Sequence, residues 1–273
     1  SNAANSNTPT GPFHTIVPAF INCAANLAAV NSALASAAID SAKADSPQEI
    51  KDIVAAYDKV LDVATPPTTG TAPAASDYAA LGLTPVPADG SPLLGLLNGM
   101  LPTLGDKAAN QAALQAADTA LSKIVAAADS TPDGDPALTP SDLAALGVTL
   151  PTDPALADNL AALVSAVVDA KPADAVDSVA EVKDILAAAQ KVIDTAAGLP
   201  VNPALNATDL AKLGIDITGK TPEQQAAILA AVGTSADSGV DVNSLSDLTA
   251  LVNNAVTALA KIADYAAASP AAT

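Results

Sequence analysis

The 273-residue chain carries a formal net charge of −18, with no arginine, no tryptophan and only Phe13, Phe20, Tyr57, Tyr78 and Tyr265 as aromatics. Such a surface repels phosphate backbones and has neither basic patches nor stacking platforms, which excludes nucleic-acid binding and disfavours sugar binding by stacking. One cysteine, Cys23, and one histidine, His14, exclude an internal disulfide and any recurring histidine-based catalytic group.

Roughly a quarter of the residues are alanine, and the alternation of β-branched and aromatic residues expected of strands is missing. The reading is all-α. Residues 1–8, opening on "SNA", read as a tag scar and a disordered lead. Residues 9–65 read as a first helical unit whose opening helix is degenerate. Residues 1–39 contain no charged side chain, but Pro18, Asn22, Asn26, Asn31, Ser32 and Ser36 interrupt them, and no transmembrane helix is expected. Cys23 lies in a helical pattern as a small buried residue, and the solitary His14 reads as structural. The unit closes on a long helix, Glu49 to Ala64, behind a capping box "SPQE" at Ser46.

Residues 66–131 form the second expected unit. It opens on "AASDYAALGL" (Ala74 to Leu83) and continues through "LLGLLNGM", whose glycines have neither the preceding strand nor the following lysine of a phosphate loop. Residues 132–198 form the third, opening on "TPSDLAALGV" (Thr139 to Val148). Its middle helix carries Leu156, Leu160, Leu163, Val164 and Val167. Its long helix carries Val179, Val182, Ile185, Leu186, Ala189, Val192, Ile193 and Ala196 on one stripe, with Lys183, Asp184, Lys191 and Asp194 off it. Residues 199–273 form the fourth, opening on "NATDLAKLGI" (Asn206 to Ile215). The same stripe recurs there through Leu248, Leu251, Val252, Ala255, Leu259 and Ile262.

The opening aspartates Asp77, Asp142 and Asp209 recur at 65 and 67 residues, and "EIKDIVAAYDKVLDVA" from Glu49 matches "EVKDILAAAQKVIDTA" from Glu181 two periods on. Together they define about four units of about 66 residues each. Thr139 is an N-cap, Pro140 occupies the first helical position, and Asp142 completes a capping box. Leu138 and Leu143 form a hydrophobic staple, and Gly147 is placed for a left-handed C-cap. Asn206, Asp209, Leu205, Leu210 and Gly214 repeat every part; the copy at Ala74 keeps Asp77 and Gly82 and loses the side-chain cap. On this reading the aspartates are structural and have no recurring partner. "SVAE" at Ser178 and "TPEQ" at Thr221 are further capping boxes.

No catalytic, cofactor-binding or metal-ligating residue is assigned. Asp129, Asp133 and Asp135 share one loop, and Asp237 and Asp241 another. Neither matches the EF-hand spacing, and both read as solvated turns, with calcium as the alternative.

"ANLAAVNSALA" from Ala25, "DYAALGL" from Asp77 and "EVKDILAAAQ" from Glu181 resemble the helical tandem repeats of very large bacterial surface and biofilm adhesins. The resemblance covers nearly the whole chain. It implies export, an extended stalk-like role and no enzymatic activity. The expectation is a monomeric extracellular spacer without cofactor. The alternative is a helical module that binds a host or matrix protein. Proline-containing joints starting at Thr65, Ser130 and Gly198 are expected to be stiffer than Gly/Ser linkers, giving an elongated array.

Overall fold

Alanine-rich segments with capped ends and apolar residues at spacings of three and four fold here as helices. The structure, a computed structural model, describes residues 23–40, 42–65, 70–131, 137–235 and 239–268. Among them the regular structure is entirely helical, as the composition leads one to expect. In chain order the helices are α1 (Cys23–Leu34), α2 (Pro47–Ala64), α3 (Ala75–Ala80), α4 (Pro92–Leu104), α5 (Gln111–Ala127), α6 (Pro140–Ala145), α7 (Pro154–Asp169), α8 (Val179–Ala196), α9 (Ala207–Lys212), α10 (Pro222–Gly233) and α11 (Leu245–Ala268). From α3 onward the order short, middle, long occurs three times, and a 3-10 turn (Gly105–Ala109, Ala173–Ala175, Val240–Val242) leads from each middle helix into its long one. His14 and the lead residues 1–8 lie outside the described residues, as does the side chain of Cys23.

Helix starts follow the sequence closely. Ser46 with Glu49, Thr139 with Asp142, Ser178 with Glu181 and Thr221 with Gln224 all form reciprocal capping boxes. Pro47, Pro140 and Pro222 open their helices at a position where a backbone N–H has no intrahelical acceptor.

Packing follows one rule. Each long helix lies against its own middle helix and against the short and middle helices that come next: α2 on α3 and α4, α5 on α6 and α7, α8 on α9 and α10. Each middle helix also meets the long helix that follows its own unit, as α1 meets α5, α4 meets α8 and α7 meets α11. α4 and α8 meet closely at Gly99, where an added Cβ would lie 2.6 Å from a methyl of Val179. Among the described residues the buried apolar side chains form one continuous cluster from Ala29 to Val252, so the helices share a core.

The long stripe of α8 is buried as its spacing predicts, with Val179 half-buried at the edge. The matching stripe of α11 is not. Leu248 and Val252 are buried, but Ile262 is 65 % exposed, which corrects the expectation of a fully buried fourth stripe. The physical reason is that α8 is covered by α9 and α10, whereas no described helix follows α11 to cover it.

Candidate functional site at the joints

The three opening helices are only six residues long. Alone they would not persist in water, because nucleation costs more than so few hydrogen bonds return. Both ends must therefore be held from outside the helix. At the C-terminal end, Gly82, Gly147 and Gly214 adopt φ of 74°, 85° and 91°. The amide after each glycine donates back to the residue following the aspartate: Leu83 to Tyr78 at 3.1 Å, Val148 to Leu143 at 3.0 Å, Ile215 to Leu210 at 2.9 Å. The glycine amides donate to Ala79, Ala144 and Ala211. This is the Schellman arrangement, and it pairs Tyr78, Leu143 and Leu210, all fully buried, with the apolar residue after the glycine. The letters "[YL]-x-x-L-G-[LVI]" are thereby accounted for.

At the N-terminal end the aspartate does two things. Its carboxylate accepts the backbone N–H of the cap residue, from Ala74 at 2.8 Å, Thr139 at 2.7 Å and Asn206 at 3.1 Å. It also receives a lysine from the long helix of the unit before. Lys59 donates to Asp77 at 2.8 Å, Lys123 to Asp142 at 2.6 Å and Lys191 to Asp209 at 2.9 Å. The expectation that these aspartates lack a recurring partner is therefore corrected. The lysine lies 18, 19 and 18 residues before its aspartate, across the joint, so the helical period within one segment could not reveal the pair. A signal was present nonetheless: Lys59, Lys123 and Lys191 each stand thirteen residues after their helix N-cap.

The aspartates are almost completely buried and the lysines half-buried. Such a pair balances desolvation against charge-assisted hydrogen bonds, and removing one partner leaves the other buried and uncompensated. At Asp142, burial acts to raise the pKa. Lys123, the Thr139 hydroxyl and the Thr139 amide outweigh it, and the carboxyl is held below its ordinary value. The third joint has a second pair, Lys212 to Asp184 at 2.9 Å, between α9 and the exposed flank of α8.

A second acidic group was not singled out from the sequence. Asp118 occupies the buried face of α5 with no solvent exposure, and neither of its carboxylate oxygens has a hydrogen-bond partner. Burial pushes its pKa up to about 6, partly offset by the nearby Gln115 amide. It lies eight residues after its N-cap, where the other long helices carry Val54, Leu186 and Val252. The same region holds Tyr78, whose hydroxyl donates to Asn98 at 2.7 Å and whose own pKa is raised, first by burial and then by Asp118 and Asp77.

Of the acidic loops, Asp133, Asp135 and Asp237 lie outside the described residues; the Asp129 carboxylate accepts the Thr131 amide at 2.7 Å. Among the described residues no group of three or more His, Cys, Asp or Glu side chains is placed to hold a metal ion, and no helix is long and apolar enough to cross a membrane. No family model matches the chain, and no curated protein or solved structure is significantly similar to it.

Proposed function

We propose that the chain is a non-enzymatic, extracellular spacer segment of a bacterial surface adhesin, built as a tandem array of about four units with a period of about 66 residues. The observation that carries this reading is the joint. The same opening helix, with the same Schellman end and the same lysine–aspartate pair, links consecutive units three times. A device that fixes how one unit follows the next is what a spacer requires. The principal packings connect only elements of the same or of consecutive units, which is the quasi-one-dimensional pattern of repeat arrays. The resemblance to adhesin repeats adds the bacterial surface as the location.

Small-angle scattering on the monomer tests the reading. A compact globule of this length has a radius of gyration of roughly 18–19 Å. A clearly larger value is expected, and the compact value would overturn the spacer.

The second reading is a helical module that binds a host or matrix protein. It calls for an exposed apolar patch at equivalent places on several units. Among the described residues the exposed large apolar side chains are Leu27, Leu34, Val86, Leu199, Val240, Ile262 and Tyr265. Leu27 and Leu34 lie on α1, and Ile262 and Tyr265 on α11, so the distribution favours the spacer.

A further inference from the structure

The two ends of the described chain expose a long-helix face and a middle-helix face of the kind that pack on each other in its interior. We infer that the bare face of α11 is a docking surface for the opening and middle helices of a further unit of the same kind, joined covalently after it. This inference rests on the spacer reading and names the partner of its terminal face.

The four long helices align without a gap from their N-caps Ser46, Asn110, Ser178 and Ser244. Ten residues on stand Ala56, Ala120 and Ala188, all fully buried, and Asn254, which is exposed. Fourteen residues on stand Val60, Ile124 and Val192, all buried, and Ala258, which is exposed. Eighteen residues on, Ala64, Ala128 and Ala196 are buried and Ile262 is bare. α11 therefore repeats the register of helices that each carry a following unit. On this flank it has an open groove of about 530 Å³, lined by α11 from Asp247 to Ala258 together with Ala231 of α10 and Val240 and Asp241 of the 3-10 turn. On α8 the residue matching Ala250 is Asp184, which Lys212 of the next opening helix reaches, so this flank is the one on which an opening helix lies.

The other end is complementary. "NLAA" of α1 aligns with "NLAA" of α7, which makes Leu27 and Leu34 the counterparts of Leu160 and Val167. Leu27 and Leu34 are exposed; Leu160 and Val167 are fully buried in a helix on which α5 of the preceding unit packs. One end thus offers a long-helix face and the other a middle-helix face. A covalently joined unit is favoured over a second copy as the occupant. Two chains of charge −18 repel each other, and a joined unit does not lose the translational freedom that free association costs. All three internal examples are covalent. α11 differs at one point of the interface: Thr257 stands where Lys59, Lys123 and Lys191 supply the ion pair.

The test is the full chain with residues 197–268 repeated directly after Ile262, the position matching Ala196. Amide hydrogen exchange is followed across residues 250–262 in the parent and the extended chain. Protection there should rise by roughly tenfold or more in the extended chain. Thr257→Lys should raise it further only in the extended chain, and Ile262→Asp should return it towards the parent level. An added segment that stays unfolded, or unchanged protection beneath a folded one, overturns the inference. So does concentration-dependent association of the parent in sedimentation that Ile262→Asp abolishes, since the occupant would then be a second copy. The spacer reading fails separately, by a compact radius of gyration of the parent, which leaves the exchange result intact.

Discussion

α8 and α11 begin alike and end differently. Both start from a serine cap with an acidic residue three positions later, and both carry apolar residues at the same register. α8 is buried along its length because α7 lies on one side and α9 with α10 on the other. α11 has α10 and α7 but no described element after it, and from Asn253 to Tyr265 its residues are half-buried or exposed. A stripe in the same register is therefore core in one place and surface in another. What makes it core is the next opening helix, a six-residue element that cannot stand alone and is held by a glycine turn at one end and a borrowed lysine at the other.

The largest expected contrast is in packing. Ile193 of α8 has no exposure, and Ile193→Ala should cost about 3 kcal/mol in chemical denaturation, through lost burial and the cavity left behind. Ile262→Ala on α11 should change stability by no more than about 0.5 kcal/mol. Equal losses would mean that the end of α11 is covered in solution.

Asp118 sharpens the comparison from inside. It interrupts a position that is Val54, Leu186 and Val252 in the other long helices. Its folded pKa, about 6, lies above the ordinary 3.8, so the folded state binds the extra proton. Its unfavourable contribution is absent below about pH 4, grows as pH rises through 4 to 6, and at pH 7 amounts to about 3 kcal/mol. Asp118→Leu should therefore stabilise the chain at pH 7 and much less at pH 4, read as the difference in urea midpoints. A pH-independent effect would remove charge burial as the cause.

The joints themselves should respond next. Asp142→Asn removes the lysine partner and weakens the cap, at a cost of about 1–2 kcal/mol at neutral pH. Asp142 is held below its ordinary pKa, so this contribution is present above about pH 4 and fades as pH falls through the lowered value. Asp247→Asn on α11, an exposed cap without a lysine, should cost about 0.5 kcal/mol. A double-mutant cycle of Lys123→Met with Asp142→Asn should show a coupling that Asp247 lacks. The smallest effect expected is that of Thr257→Lys in the parent chain, which should shift the midpoint by less than about 0.3 kcal/mol. A larger shift would identify an acidic partner already present at that end.

Much of this was written in local sequence. Alanine content, three-and-four spacing and cap residues determined the helices, because each depends on neighbours within one or two turns. The role of Asp142 as a capping residue and of Gly147 as a left-handed stop followed from the same short range. The lysine partner did not. Lys123 is 19 residues from Asp142 and on another helix, and only the crossing of α5 and α6 brings them to 2.6 Å. The same holds for Asp118, which by type belongs on the surface and which the packing of α5 places in the core without a partner. It holds for Ile262, which by pattern belongs in the core and lies bare. Sequence alone determined which residues could face inward; whether a neighbouring element was there to cover them was decided by the tertiary structure, because burial belongs to pairs of surfaces and a single helix carries only one.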